Sequence, residues 1–325
     1  MFHEKLYENV LIKPAIEGSN KLYIVSGYAT AAMAFHHINK LKSISSDISI
    51  DLIVGMTSAD GVSNSNHNAF NKLVTEDFRN ILTCSYVCRS PPVHSKLYIW
   101  ERDGELTQAF IGSANYTQNA FILNKNREIC ATCDPSKAFN YYESLVDDTF
   151  YCDYTDIENE VSIHKDGNRP YRREPVTPGE LIDEDYRANV PDSQHVSLSF
   201  LNPRTRELPT GASGLNWGQR KGREPNQAYI RISSNIAKTD FFPPRAVHFT
   251  VQTDDGKILI CTRAQDGAKS IETPHNNSLI GEYFRHRLGL ANGQKIYHQD
   301  LINYGRTDVD FYKLDDETYY MDFSV

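Results

Sequence analysis

From residue 153 to residue 194 the chain reads "DYTDIENEVSIHKDGNRPYRREPVTPGELIDEDYRANVPDSQ". Apolar periodicity stops here, and acidic and polar residues and prolines take its place. Such text cannot bury itself in a core, so the segments on either side must each build their own. At 325 residues the chain is long enough for two cores. The expected organisation is a first domain over 1–155, a linker over 156–195 and a second domain over 196–325.

The first domain alternates two kinds of text. "KLYIVSGYAT" (21–30) reads as a strand ending in a glycine turn, and "AAMAFHHINKLK" (31–42) has helical spacing. "ISIDLIVGMT" is a buried strand, and "NAFNKLVTEDFRNIL" (68–82) an amphipathic helix. "SYVCRS", "SKLYIWE", "LTQAFIGSAN" and "REICATCD" are strand-like, and a helix is expected around "PSKAFNYYESLVDDTFY". Strands alternating with helices predict an α/β sandwich. After residue 196 strands dominate: "VSLSFL", "AYIRI", "AVHFTVQT", "KILICTRA" and "YYMDFSV", with "TDDGK" as a hairpin turn. "SLIGEYFRHRLGL" (278–290) is the one clear helix expected there.

Composition excludes several classes. Hydrophobic residues are 40% and charged residues 23%, as in ordinary water-soluble proteins. No apolar run approaches the roughly 18 residues of a membrane span. "MFHEKLYENV" is neither a signal nor a transit peptide, so a cytoplasmic location is expected. Six cysteines are too few for a disulfide scaffold. Cys84, Cys88, Cys130 and Cys133 can be read as four zinc ligands, but also as thiols buried in strands. The net charge of −8 argues against a protein that coats nucleic acid, although local patches decide binding.

One stretch carries chemistry: "PPVHSKLYIWERDGELTQAFIGSANYT" (91–117). On a strand, His94 and Lys96 lie on one face, because side chains alternate with period two. Gly112 allows close backbone approach, and Ser113 and Asn115 offer hydrogen bonds. Lys, Ser and Asn make a cradle for phosphate. A histidine beside it can attack phosphorus or protonate a leaving oxygen. No Asp/Glu cluster suited to Mg²⁺ lies nearby in the sequence.

His94-x-Lys96 followed by Gly112-Ser113-x-Asn115 resembles the signature of the phospholipase D superfamily. The acidic residue that follows the Lys by five positions in that signature is Glu101 here, in place of Asp. Glu128, in "NREICA", is similar to the acidic residue that superfamily nucleases place after the Asn. The resemblance covers roughly residues 20–150 and implies a reaction with two histidines, one forming a phosphohistidine and the other protonating the departing oxygen. A second motif is missing. His3-x-Lys5 with Gly18-Ser19-Asn20 lacks the extra residue and the spacing, and His164-Lys165 lacks the spacer. One motif implies a homodimer with a shared site, as in the one-motif nucleases of the superfamily.

Two polar loops in the second domain suit DNA. "SGLNWGQRKGREPNQ" carries Asn216, Trp217, Gln219, Arg220, Lys221 and Arg223. "TRAQDGAKSIETPHNN" carries Arg263, Gln265, Asp266, Lys269, Asn276 and Asn277. Arg and Lys read guanine or neutralise phosphate, Asn and Gln read adenine, and Asp accepts from cytosine. The bland alternative is a pair of solvated loops. Most acids of this domain lie in "DVDFYKLDDETYYMD", which leaves the loops basic.

The whole layout resembles restriction endonucleases of the BfiI and NgoFVII/NgoAVII type. In these a phospholipase D-like α/β nuclease domain precedes a B3-like β-barrel whose two arms grip the major groove. The resemblance implies double-stranded DNA as partner, a metal-independent endonuclease with no cofactor, and a cognate methyltransferase. Some relatives work with a separate ATP-driven translocase, and no Walker motif occurs in this chain. A lipid phosphodiesterase would share the His-Lys motif but leave the arms unexplained. A catalytically silent DNA-binding regulator would explain the arms and leave the motif unexplained. The acidic stretch Asp153–Asp192 is a candidate phosphate mimic that covers the cleft until a target binds.

Overall fold

The computed structural model describes residues 1–166, 194–209 and 211–325. The chain forms two compact units, Met1–Ile182 and Asp183–Val325, so the change of unit falls outside the described residues.

The strands of the first unit, in chain order, are β1 (Lys21–Ser26), β2 (Ser49–Val54), β3 (Val62–Ser63), β4 (Leu82–Val87), β5 (Lys96–Arg102), β6 (Glu105–Gly112), β7 (Cys130–Cys133), β8 (Thr149–Tyr151) and β9 (Ile163–His164). Seven of them make one sheet in the order β7-β6-β5-β1-β2-β4-β8. β1, β2 and β4 run parallel, and β5 runs antiparallel to β1. Both faces of β1 are buried, as its continuous apolar text requires. On one face Tyr23, Val25, Leu97 and Ile99 pack with Ala138 under the helix Pro135–Val146. Trp100 and Tyr98 point the other way. The Trp100 indole donates to the Val10 carbonyl at 2.8 Å, which seats the N-terminal helical segment Tyr7–Ile12 there. His37 of the helix Ala31–Lys42 joins the same layer, with its Nε2 2.9 Å from the Leu11 carbonyl oxygen.

The helix Ala31–Lys42 has the bounds its spacing predicts. The Thr30 hydroxyl caps it by accepting from the Met33 N–H at 3.3 Å, and Lys40 and Lys42 sit at the negative end of its dipole. The expected helix over 68–82 is shifted. It begins at Asn64, and Leu82 opens β4. Residues 156–166, expected to open the linker, belong to the first unit instead. Ile157, Val161 and Ile163 are buried, β9 pairs with β3, and the Asp166 carboxylate accepts from the Ser65 N–H at 3.0 Å and from its hydroxyl. Three apolar residues among acids were enough to anchor a segment that reads as polar. Residues 167–193 of the expected linker, and the rest of the acidic phosphate mimic, lie outside the described residues, and His195, the linker's expected last residue, opens the first strand of the second unit.

The second unit holds β10 (His195–Ser199), β11 (Ile230–Arg231), β12 (His248–Thr253), β13 (Ile258–Ala264), β14 (Ser270–Glu272), β15 (Asp308–Lys313) and β16 (Thr318–Asp322). Their order is β10-β15-β16-β12-β13-β14-β11. The edge strands β10 and β11 approach one another, so the sheet is a nearly closed barrel. Phe249, Val251, Ile271, Phe311 and Tyr319 fill it, and the helix Leu279–Arg287 adds Ile280, Tyr283 and Phe284. Two further helices, Ser234–Ala237 and His298–Tyr304, join the one expected. The acidic tail is a strand pair: Val309 and Phe311 point inward, while Asp308 and Asp310 are held by Arg306.

The zinc reading of the cysteines is overturned by topology. Cys84 lies on β4 and Cys88 just beyond it, whereas Cys130 and Cys133 lie on β7. Four strands stand between, a separation of roughly 24 Å at the usual strand spacing, so the two pairs cannot share an ion. All six cysteines are free thiols. Among the described residues no helix is long and apolar enough to cross a membrane.

Candidate active site

The register of the first sheet assembles the site. Ser26 pairs with Lys96, and Leu97 with Ile111. The end of β1, the start of β5 and the end of β6 therefore meet at one edge. His94 lies just before β5 rather than on it, yet it stays on the same side as Lys96. The Lys96 ammonium lies 3.0 Å from His94 Nδ1 and 3.2 Å from Nε2, and donates to the His94 carbonyl at 2.6 Å. Lys96 is buried and His94 exposed.

Gly27 forms the floor. A Cβ there would sit 3.3 Å from His94 Cδ2, and 3.4 Å from both Asn115 Oδ1 and Lys96 Nζ. Three side chains from two separate stretches thus converge on one point, and a side chain at position 27 would crowd all three. Gly112 acts as expected: a Cβ would lie 2.0 Å from the Ile129 carbonyl oxygen, so only glycine lets β6 end this close to the chain entering β7.

Ser113 and Glu128 form a second layer. The Ser113 hydroxyl donates to the Glu128 carboxylate and accepts from the Ile129 N–H at 3.0 Å. Burial pushes the Lys96 pKa down, and the negative charge of Glu128 opposes that shift. Glu101 is elsewhere. It accepts from the Tyr23 hydroxyl at 2.9 Å and lies five residues along β5, roughly 15 Å from Lys96.

Tyr28, which the motif does not contain, stands at the rim. Its N–H donates to Asn115 Oδ1 at 3.2 Å, and its ring is edge-on to the His94 imidazole with centroids 6.2 Å apart. The signal for it is the "SGYAT" that ends β1, the strand paired with the His-Lys segment.

The second unit sorts the twelve arm residues into two groups. Asn216 and Arg263 are buried and spend their hydrogen bonds internally, which corrects their assignment as base readers. Asn216 exchanges two bonds with the Ile296 backbone, at 2.8 and 2.9 Å. Arg263 donates to the Ala268 carbonyl at 2.9 Å and to that of Ala237 at 2.7 Å, bracing the second arm from below. Gln219 is committed likewise, to the carbonyls of Pro225 and Gly293. Trp217 and Asn277 are half-buried, whereas Asn276 is exposed, with its Oδ1 accepting from the Ser278 N–H at 3.0 Å.

The other exposed arm residues face outward with Asn276. Arg220, Lys221 and Arg223 are exposed on the first arm, Arg223 lying over the Trp217 ring at 4.0 Å. Gln265, Asp266 and Lys269 are exposed on the second, around a turn where Gln265, Gly267 and Ala268 all have positive φ. The sequence did not single out Arg285, which is fully buried. Its guanidinium donates to the carbonyls of Gln294 (2.7 Å), Gly281 (3.1 Å), Pro225 (3.3 Å), Leu215 (3.4 Å) and Asn226 (3.5 Å), tying the first arm to its helix.

A phospholipase D-like unit bearing one His-Lys motif, followed by a nearly closed barrel with two polar arms, defines a nuclease domain joined to a B3-like DNA-binding domain. Residues 4–159 match the family model of the NgoFVII restriction endonuclease N-terminal PLD domain, and residues 191–315 match that of the NgoFVII C-terminal B3-like DNA-binding domain. The chain belongs to the NgoFVII restriction endonuclease family. Among solved structures it is similar to NucT from Helicobacter pylori, with 17% identity and a TM-score of 0.33 over 46% of this chain and 96% of that one. It is also similar to polyphosphate kinase from Porphyromonas gingivalis, with 14% identity and a TM-score of 0.29 over 45% of this chain and 23% of that one. No curated protein matches the chain.

Proposed function

We propose that this chain is a sequence-specific DNA endonuclease that hydrolyses phosphodiesters through a phosphohistidine, without a metal, at a site shared by two copies. The observation that carries the reading is the convergence of His94, Lys96 and Asn115 on Gly27. In the first step a His94 nitrogen attacks phosphorus and the bond to the 3′ oxygen breaks, while His94 of the partner subunit gives that oxygen its proton. In the second, water attacks phosphorus, the P–N bond breaks, and the water's proton passes to the partner's His94. The products are a 3′-hydroxyl and a 5′-phosphate. Lys96 and Asn115 of both copies supply fixed positive charge and N–H donors to the pentavalent phosphorus, the task a metal performs in other phosphodiesterases. Ser113, held by Glu128, completes the cradle.

Two features support the dimer. One motif supplies one histidine where the reaction uses two. Next to His94, Ser95 also lines a cavity of about 260 Å³ where Ile111 and Tyr141, each more than 40% exposed, lie beside Asp134 and Lys137. Exposed apolar patches of this kind mark association surfaces. The outward arm residues Arg220, Lys221, Arg223, Gln265, Asp266, Lys269 and Asn276 read the target in the major groove.

Plasmid cleavage by the purified chain in excess EDTA, beside His94→Ala, tests the chemistry. Cleavage by the wild type alone, ending in 5′-phosphates, is the expected result. Cleavage that requires added metal sinks the metal-independent mechanism. Specific binding in a gel shift without cleavage points to an ATP-driven partner. Neither binding nor cleavage removes the DNA reading and favours the lipid phosphodiesterase. Binding with an inactive site in every context favours the silent regulator. A cognate methyltransferase is proposed as the partner that protects host DNA, and methylated target should resist cutting.

A further inference from the structure

The loop that follows β1 is held on several sides. The Ser26 hydroxyl donates to the Tyr28 carbonyl at 2.6 Å and accepts from the Tyr116 N–H at 2.9 Å. Asn66 closes the far end: its amide donates to the Ala29 carbonyl and accepts from the Ala31 N–H, each at 2.9 Å. The Tyr28 hydroxyl donates to Asp60. The ring is therefore fixed in orientation, yet the residue is 41% exposed. Core packing does not account for a pinned, exposed aromatic at the rim of a phosphate cradle.

We propose that Tyr28 is a nucleobase platform, the surface on which the base beside the scissile phosphate stacks. This rests on the nuclease reading above and deepens it. A base lies one sugar away from its phosphate, a span comparable with the separation of the His94 and Tyr28 rings. Stacking tolerates any sequence, because every base has a π-face. That suits an enzyme whose sequence reading belongs to another domain: the site accepts whatever base flanks the bond to be cut. The main chain of Tyr28 has a separate task. Its N–H engages Asn115 Oδ1, which turns the Asn115 amide N–H groups away from Tyr28 and leaves them for the phosphate.

The test separates ring from main chain. A duplex spanning a mapped cut, and the same duplex with an abasic residue on one side of the cleaved bond or the other, are cut under single turnover by wild type, Tyr28→Ala and Tyr28→Phe. Tyr28→Ala should cut the intact duplex roughly ten-fold more slowly, the scale of one base–aromatic stack. An abasic residue on one of the two sides should slow the wild type by a similar factor and slow Tyr28→Ala no further. Tyr28→Phe keeps the ring and should recover most of the rate. Equal losses from Tyr28→Ala on all the duplexes would make the ring a support of the site and overturn the proposal. So would an unchanged rate, or a Tyr28→Ala protein that is monomeric by light scattering where the wild type is dimeric. A wild type no faster than His94→Ala strikes at the nuclease reading instead, so the two failures are told apart.

Discussion

Lys96 combines burial with usefulness as a charge, and the two pull against each other. Burial lowers its pKa, and Glu128, the carboxylate that opposes this, reaches the site through Ser113. A lysine that stabilises phosphate works protonated, so its contribution is present below its pKa and lost as pH rises through it. Glu128→Gln keeps an acceptor for the Ser113 hydroxyl and removes the charge. The alkaline limb of the pH–rate profile for single-turnover DNA cleavage should therefore move to lower pH, and an unmoved limb would show that Lys96 does not set it. The motif residues were legible because they lie close together in the chain: one His and one Lys two apart at the start of a strand, and a Gly-Ser-x-Asn where the next strand ends. Gly27 and Tyr28 were not, because they come from the loop after β1, far upstream, and only the Ser26–Lys96 register brings them in. Glu101, which has the signature's spacing, is carried by β5 away from Lys96, where it accepts from the Tyr23 hydroxyl.

Among elements, the first arm (213–227) shows how a polar loop keeps its shape. Asn216, Gln219 and the buried Arg285 stitch it to the loop 293–296 and to the helix Leu279–Arg287. Removing the guanidinium leaves five backbone carbonyls without that donor. Arg285→Met should cost about 2–4 kcal/mol, as expected for stranded buried acceptors, measured by urea unfolding of the full chain. It should also weaken DNA binding more than Lys221→Ala does, because it loosens an arm rather than deleting one contact. Stability within error of the wild type would refute this role for Arg285. The arms were visible in the sequence as runs of Arg, Lys, Asn and Gln. Which of those residues face inward was not. Buried Asn216 and exposed Lys221 belong to the same polar run, and only the path of the backbone turns one in and the other out. Helix Ala31–Lys42 was legible from its period. Strand β14, at three residues, offers too few positions for a period to register. Strand β15 hid its alternation of Val309 and Phe311 beneath an acidic average.

Across the whole molecule, stability in acid should be governed by two buried histidines of the first unit. His37 is enclosed between the Leu11 carbonyl and the Tyr116 hydroxyl, and burial lowers its pKa to about 3. His67 lies beside the Tyr86 hydroxyl, and burial lowers its pKa to about 4. Both are neutral when folded and take up protons near pH 6.5 when unfolded. Their contribution to stability is therefore complete above about pH 6.5 and is lost as pH falls toward 4, at up to about 1.4 kcal/mol per pH unit for each. Urea midpoints measured across that range should fall, and His37→Gln should flatten the fall; an unchanged slope would assign it to other groups. The sequence by itself determined that there are two cores, that the first alternates strand and helix while the second is mostly strand, and that one His-Lys motif is present. Those properties follow from local periods and fixed spacings, which the chain carries wherever it goes. Only the tertiary structure decided that residues 156–166 belong to the first unit, that the cysteine pairs stand too far apart to share zinc, that Asn216 and Arg263 are braces, and that Tyr28 borders the site. Each of these depends on strand order and register between distant segments, set by how faces pack together, and no local pattern encodes that.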